Sequence, residues 1–146
     1  MTTTAKILID TGVFVNVLNK EKGFDSSVEL LEKIRSKKIE GFISVLTIAE
    51  IISIYSRLGE EETIVAKTSI ESLIGEDRMV PITKQIAELA GRVKADYRMS
   101  LGDAFMVAAA ISINCEYVVS LDPEIRQVDN KLIKVRTPKQ LQDTPR

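Results

Sequence analysis

Short apolar runs alternate along this chain with longer stretches of helical period, and that alternation sets the expected fold. Lys6-Ile7-Leu8-Ile9 reads as a buried strand ending at Asp10-Thr11-Gly12. Residues 13–18 continue as a short apolar helix, closed by the loop Lys20-Glu21-Lys22-Gly23. Over 25–38 the spacing of Val28, Leu31 and Ile34 predicts a second helix, capped by Asp25 or Ser26 and ending in basic residues that suit a helix C-terminus. Gly41-Phe42-Ile43-Ser44 predicts a second strand. The stretch 45–58 is apolar on nearly every face, with Ile48, Ile51, Ile52 and Tyr55 in one stripe and Val45, Ala49 and Ile54 outside it. Such a helix is buried in the fold or pairs with another chain.

Gly59-Glu60-Glu61-Glu62 marks a break, after which Ile64, Val65, Ile70, Leu73 and Ile74 suggest a further helix. Met79-Val80-Pro81-Ile82 is a weak third strand, its proline arguing for an edge position. Residues 83–98 form an amphipathic pattern with Ile86, Leu89, Ala90, Val93 and Tyr97 on one face. The Ala-rich run 103–113 is almost free of charge and predicts a central helix. Tyr117-Val118-Val119-Ser120 and Leu132-Ile133-Lys134-Val135 supply a fourth and a fifth strand. Strands alternating with helices predict an α/β fold, a three-layer α/β/α arrangement around a parallel sheet of about five strands. At 146 residues, one domain spanning 1–146 is the expectation.

Composition narrows the chemistry. The chain has no His, which removes the usual general acid–base group, the Ser-His-Asp and Cys-His arrangements and the usual zinc ligand. Its single Cys115 lies among apolar residues and reads as a buried, inert thiol, with no partner for an intrachain disulfide. No stretch approaches the roughly 20 apolar residues of a membrane span. Met1-Thr2-Thr3-Thr4 runs into the first strand without an apolar leader region, so the expected location is cytoplasmic. The formal net charge of −1 is not the footprint of a typical nucleic-acid binder, so affinity for phosphates needs local patches or metal ions.

Four acids, Asp10, Glu50, Asp103 and Asp122, each stand where a strand-like run gives way to a helix-like one. An open α/β sheet gathers such junctions on one edge, where the four could converge. Converging carboxylates need a positive partner to stay ionised, and a hard divalent cation such as Mg²⁺ or Mn²⁺ prefers oxygen ligands. Each acid also has a plain capping role open to it. Asp10 could cap the helix that follows, and Asp122-Pro123-Glu124 fits an N-cap before a first-turn proline. Thr47-Ile48-Ala49-Glu50 and Ser100-Leu101-Gly102-Asp103 fit capping boxes. Caps alone do not account for the apolar surroundings of Asp10 and Asp103, nor for the hydroxyls of Thr11, Ser100 and Ser120 beside three of the acids. Such hydroxyls can orient a ligating carboxylate.

The order Ile-Asp-Thr, then Glu50 within a buried helix, then Leu-Gly-Asp-Ala-Phe-Met-Val-Ala-Ala-Ala, then Val-Val-Ser-Leu-Asp resembles the PIN domain. Within that family it is most similar to VapC-type toxin ribonucleases. Thr137-Pro138-Lys139-Gln140-Leu141 also resembles the family's C-terminal signature, so the likeness covers essentially the whole chain. The resemblance implies a parallel five-stranded sheet between helices and a magnesium- or manganese-dependent endoribonuclease. It implies Asp10, Glu50 and Asp103 as the catalytic metal ligands, with Asp122 at the position of the more variable fourth acid. Thr11 and Ser120 match the small hydroxyl positions, Ser120 standing where the family more often has Thr. For partners it implies an RNA substrate, a homodimer and a small antitoxin whose tail occupies the acidic groove.

Lys20, Lys22, Arg92, Lys94 and Arg98 are candidates to track RNA phosphates, against a plain reading as solvated helix faces. Alternatives within the same fold are a stand-alone RNA-processing nuclease and a non-catalytic binding scaffold; loss of an acid would mark the latter, and all four are retained. Ile-Asp-Thr-Gly also resembles retroviral-type aspartic proteases, but those are nearly all β. A haloacid dehalogenase-type phosphatase wants a second Asp two residues after the first, where this chain has Gly12.

Overall fold

The computed structural model describes residues 4–142, so the Met1-Thr2-Thr3 start weighed above lies outside the described residues. Five parallel strands form one sheet in the order β3-β2-β1-β4-β5. They are β1 (Ala5–Ile9), β2 (Ile39–Ser44), β3 (Met79–Val80), β4 (Tyr117–Val119) and β5 (Lys134–Arg136). Among the described residues, seven α-helices connect or flank them: α1 (Thr11–Leu18), α2 (Phe24–Arg35), α3 (Leu46–Tyr55), α4 (Glu60–Ile74), α5 (Lys84–Asp96), α6 (Leu101–Ser112) and α7 (Pro138–Gln142). Short 3₁₀ turns occupy Glu76–Arg78 and Ile125–Val128.

Successive strand residues face opposite sides of the sheet, and each side has its own core. Ile7, Ile9, Tyr117 and Val119 pack with α1, α2, α3, α4 and α7, whereas Leu8, Val118 and Val135 pack with α5, α6 and the turn at Ile125–Val128. Both faces are covered, which is why the central strands read as unbroken apolar runs. This is the expected three-layer α/β/α architecture. Gly41 lets α2 lie close on β2: a Cβ there would stand 2.9 Å from Ile34 Cδ1. Val80 closes β3 just before Pro81, and the strand sits at the sheet edge as its proline requires.

Several boundaries differ from the sequence expectation. α2 starts after Gly23, whose φ of 79° is left-handed, so neither Asp25 nor Ser26 is its cap. Lys37, at φ 64°, ends the helical run before residue 38. β5 begins two residues later than expected. Leu132 and Ile133 close a turn through left-handed Asn130 instead, and the Val135 amide donates to Asp129 Oδ1 at 2.8 Å. α3 is the largest correction. Its buried line is Thr47, Ile51 and Tyr55, while Glu50, Ile52 and Ile54 face outward, so this is a half-covered surface helix and Ile52 leaves the expected stripe. The Ala-rich helix α6 is central as expected, with Ala104 and Met106 to Ala110 all buried.

The order of the strands decides where a site can form. The chain runs outward from β1 through β2 to β3, then returns to place β4 on the other side of β1. That reversal opens a crevice beyond the C-terminal ends of β1 and β4. The N-termini of α1, α3 and α6 lie at the same edge, and helix N-termini favour negative charge.

Candidate active site

Parallel pairing sets Ile9 opposite Val119, so the next residues, Asp10 and Ser120, emerge side by side from the sheet edge. Ser120 Oγ donates to Asp10 Oδ2 at 2.7 Å and accepts the Asp122 amide at 3.0 Å. Asp10 is buried and stands at the N-cap position of α1, yet its side chain makes no cap hydrogen bond. Burial pushes its carboxyl up to about 6, against the lowering effect of the Ser120 hydroxyl and with further upward pressure from Glu50 and Asp122.

Glu50 comes from α3 and does not close the expected capping box onto Thr47. Thr11 Oγ1 donates to Glu50 Oε1 at 2.6 Å and lies 2.9 Å from Thr47 Oγ1. The α6 N-terminus meets this carboxylate at Gly102, where a Cβ would stand 3.4 Å from Glu50 Oε2. Ser100 does cap α6, its Oγ accepting the Asp103 amide at 3.1 Å. Asp103 is half-buried, and its carboxyl is pushed up to about 7. Burial is the main cause, followed by repulsion from Asp10 and Asp122; a hydrogen bond shared with Asp122 raises it further, against the lowering effect of Ser100. Asp122 Oδ1 accepts the Glu124 amide at 2.9 Å, but the 3₁₀ turn Ile125–Val128 has Glu124 at its cap position, so Asp122 is not the helix cap expected before Pro123.

Asp10, Glu50, Asp103 and Asp122 thus line one open cavity of about 420 Å³, together with Thr11, Gly12, Glu21 and apolar Val15, Ile54 and Leu121. No Lys or Arg lines it among the described residues. Two further acids belong to the neighbourhood that sequence reasoning did not single out as site residues. Glu21 joins the lining from the loop after α1, and Glu124 offers a carboxylate oxygen within 4.8 Å of oxygens from Asp103 and Asp122. A turn placing Glu124 two residues after Asp122 was a faint signal; nothing in the sequence marked Glu21. The donor set is oxygen only and strongly negative, which fits a hard divalent cation such as Mg²⁺ or Mn²⁺.

The basic residues are arranged differently. Arg92, Lys94, Arg98, Lys20 and Lys22 do not line the cavity. Lys94 Nζ donates to the Met99 carbonyl at 3.1 Å. Arg98 is exposed, and its backbone is tied to Gln127 by two hydrogen bonds of 3.2 and 2.6 Å, close to the turn that carries Asp122 and Glu124.

The family model described as the PIN domain matches residues 7–131. The chain belongs to the PIN domain family. No curated protein matches it. Solved structures similar to this PIN domain include FitAcB from Neisseria gonorrhoeae, with a TM-score of 0.71 at 18% identity over 91% of this chain and 98% of that one. VapBC2 from Rickettsia felis, bound to a DNA fragment from their promoter, gives 0.67 at 16% identity over 90% and 98%. A toxin–antitoxin complex from Klebsiella pneumoniae gives 0.66 at 18% identity over 90% and 97%. At such identities these likenesses establish the PIN fold. No helix among the described residues is long and apolar enough to cross a membrane.

Proposed function

We propose that this PIN domain is a metal-dependent endoribonuclease that hydrolyses RNA phosphodiester bonds, the toxin of a VapBC-type pair acting in the cytoplasm as one nuclease unit. The observation that carries this reading is the convergence of four acids from four separate segments on a cavity with no cation of its own. A buried carboxyl such as Asp10 has no structural gain from remaining an acid there, since hydroxyl and amide groups would satisfy the same hydrogen bonds without charge repulsion. Keeping it has a use if a cation is bound.

Asp10, Glu50 and Asp103 would hold Mg²⁺ or Mn²⁺, with Asp122 at the mouth to bind a second ion or to orient water. When bound, the ion supplies charge neutralisation at the scissile phosphate and acidifies the attacking water. The protein's own part is preorganisation. Ser120 fixes Asp10, Thr11 fixes Glu50, and the N-termini of α1, α3 and α6 offset the crowded negative charge. Asp103 and Asp122 share a hydrogen bond, which holds the two carboxyls side by side at this edge of the cavity.

The toxin reading draws support from the VapBC complexes among similar structures and from the exposed apolar side chains of α3, α4 and the loop between them. Ile52, Ile54, Leu58, Ile64 and Val65 offer a surface for an antitoxin or for a second copy in a homodimer. Asp10→Asn and Asp103→Asn test the site. Both should fold and lose metal-dependent RNA cleavage by about 10²–10³-fold, the scale of removing a principal charge-stabilising group. Full activity in either refutes the assignment.

A further inference from the structure

Thr11 contacts two groups through one hydroxyl, and the hydrogen count fixes the direction of both contacts. Thr11 Oγ1 donates its proton to Glu50 Oε1, 2.6 Å away. A hydroxyl has a single proton to give. The 2.9 Å contact between Thr11 and Thr47 is therefore made with the Thr47 proton, and the chain runs Thr47 to Thr11 to Glu50. Both threonines are buried, at 6% and 2% exposure, whereas Glu50 is exposed on α3. Among the described residues, the Thr11 hydroxyl is the hydrogen-bond partner that restrains the Glu50 carboxylate.

A solvent-facing Glu keeps much of its rotamer freedom, and a single hydroxyl that can swing away is a weak tether. Thr47 stops that swing: it fills the acceptor side of Thr11, leaving the Thr11 proton one direction. Hydrogen bonds in series also polarise one another, which makes Thr11 a better donor. The arrangement does not cap α3: Val45 holds the cap position, Ser44 Oγ accepts the Leu46 amide, and Thr47 lies within the first turn with its hydroxyl toward Thr11 on α1.

Resting on the nuclease reading above, we propose that Thr47 is a positioning residue that aims Glu50 at the bound cation through Thr11, joining the first turns of α3 and α1. Thr47→Val keeps the shape and removes the proton. It should weaken Mn²⁺ binding, followed by the electron paramagnetic resonance of free Mn²⁺, by roughly 3–10-fold, less than the roughly 10–100-fold of a direct outer contact because Thr47 acts one hydrogen bond further away. Thr47→Ser should restore wild-type affinity. On a Glu50→Ala background, Thr47→Val should have no further effect on Mn²⁺ affinity.

Three results overturn the proposal: unchanged Mn²⁺ affinity in Thr47→Val, a loss limited to thermal stability, or an equal loss of affinity with and without Glu50. If Thr47→Val does not fold, Thr47→Ala carries the same comparison. A wild-type protein that neither binds Mn²⁺ nor cuts RNA defeats the nuclease reading and this proposal with it. Normal wild-type binding and cleavage beside an unaffected Thr47→Val sinks the relay alone.

Discussion

Ser120 and Asp10 are 110 residues apart in sequence and 2.7 Å apart in space, joined by a hydroxyl-to-carboxylate hydrogen bond at the ends of adjacent parallel strands. The strand register makes this contact, because Ile9 lies opposite Val119 and the next residue of each strand leaves the sheet beside the other. The same Ser120 oxygen accepts the Asp122 amide, so one small side chain sets two of the four acids.

Removing that hydroxyl should therefore disturb the site more than the fold. Ser120→Ala is expected to reduce single-turnover RNA cleavage by roughly 10–100-fold, as loss of an orienting partner does. Its effect on stability should be about 1 kcal/mol, the scale of one hydrogen bond. Ser120→Thr should keep activity. Equal cleavage by Ser120→Ala and the wild type would show that Asp10 needs no such support.

Metal-free stability should depend on pH in a direction set by Asp10 and Asp103. Their carboxyls ionise near 6 and near 7 in the folded chain, against an ordinary 3.8, with burial the largest cause for each. Between those values the folded chain binds more protons than the unfolded one, so the contribution of these groups is greatest below about pH 4 and is lost as pH rises toward 7. For Asp10 the cost of ionisation is roughly 3 kcal/mol. Calorimetry without metal should thus find stability falling across this range, and Asp10→Asn should remove much of the slope. Added Mg²⁺ should raise the melting temperature far more at about pH 8 than at about pH 5. A slope of opposite sign, or one unchanged in Asp10→Asn, contradicts this account.

Arg98 sits beside the turn that carries Asp122 and Glu124, held there by Gln127. If it meets an RNA phosphate at the rim, Arg98→Ala should weaken RNA binding several-fold and lower the salt dependence of binding by about one ion. The rate at saturating RNA should change little. An unaltered salt slope assigns Arg98 to the solvated surface.

The parts of the fold that were legible in the sequence are those dictated by local pattern. Ile7, Leu8 and Ile9 sit in a strand covered on both faces, and the uncharged run before Ile113 fills the middle of one layer. Asp10, Asp103 and Asp122 stood out because each follows a strand or opens a helix, and topology gathers those junctions; Glu50 instead lies in the middle of α3, one turn in from its start. Other features depended on relations no local pattern carries. Glu50 fits a capping box with Thr47 equally well on paper; the buried Thr11 hydroxyl on a different helix competes for the carboxylate and takes it. Ile52 shares helical spacing with Ile48, yet only the packing of α4 decides which side of α3 is covered. Glu21 reaches the cavity through the path of a loop, which hydrophobic periodicity does not describe.

The most direct measurement is anomalous scattering from crystals of the protein grown with Mn²⁺. The account predicts a peak inside the acidic cavity, about 2.0–2.3 Å from carboxylate oxygens that include Asp10 and Asp103. A well-diffracting crystal with no peak there, or with Mn²⁺ held only by acids elsewhere on the surface, would contradict it.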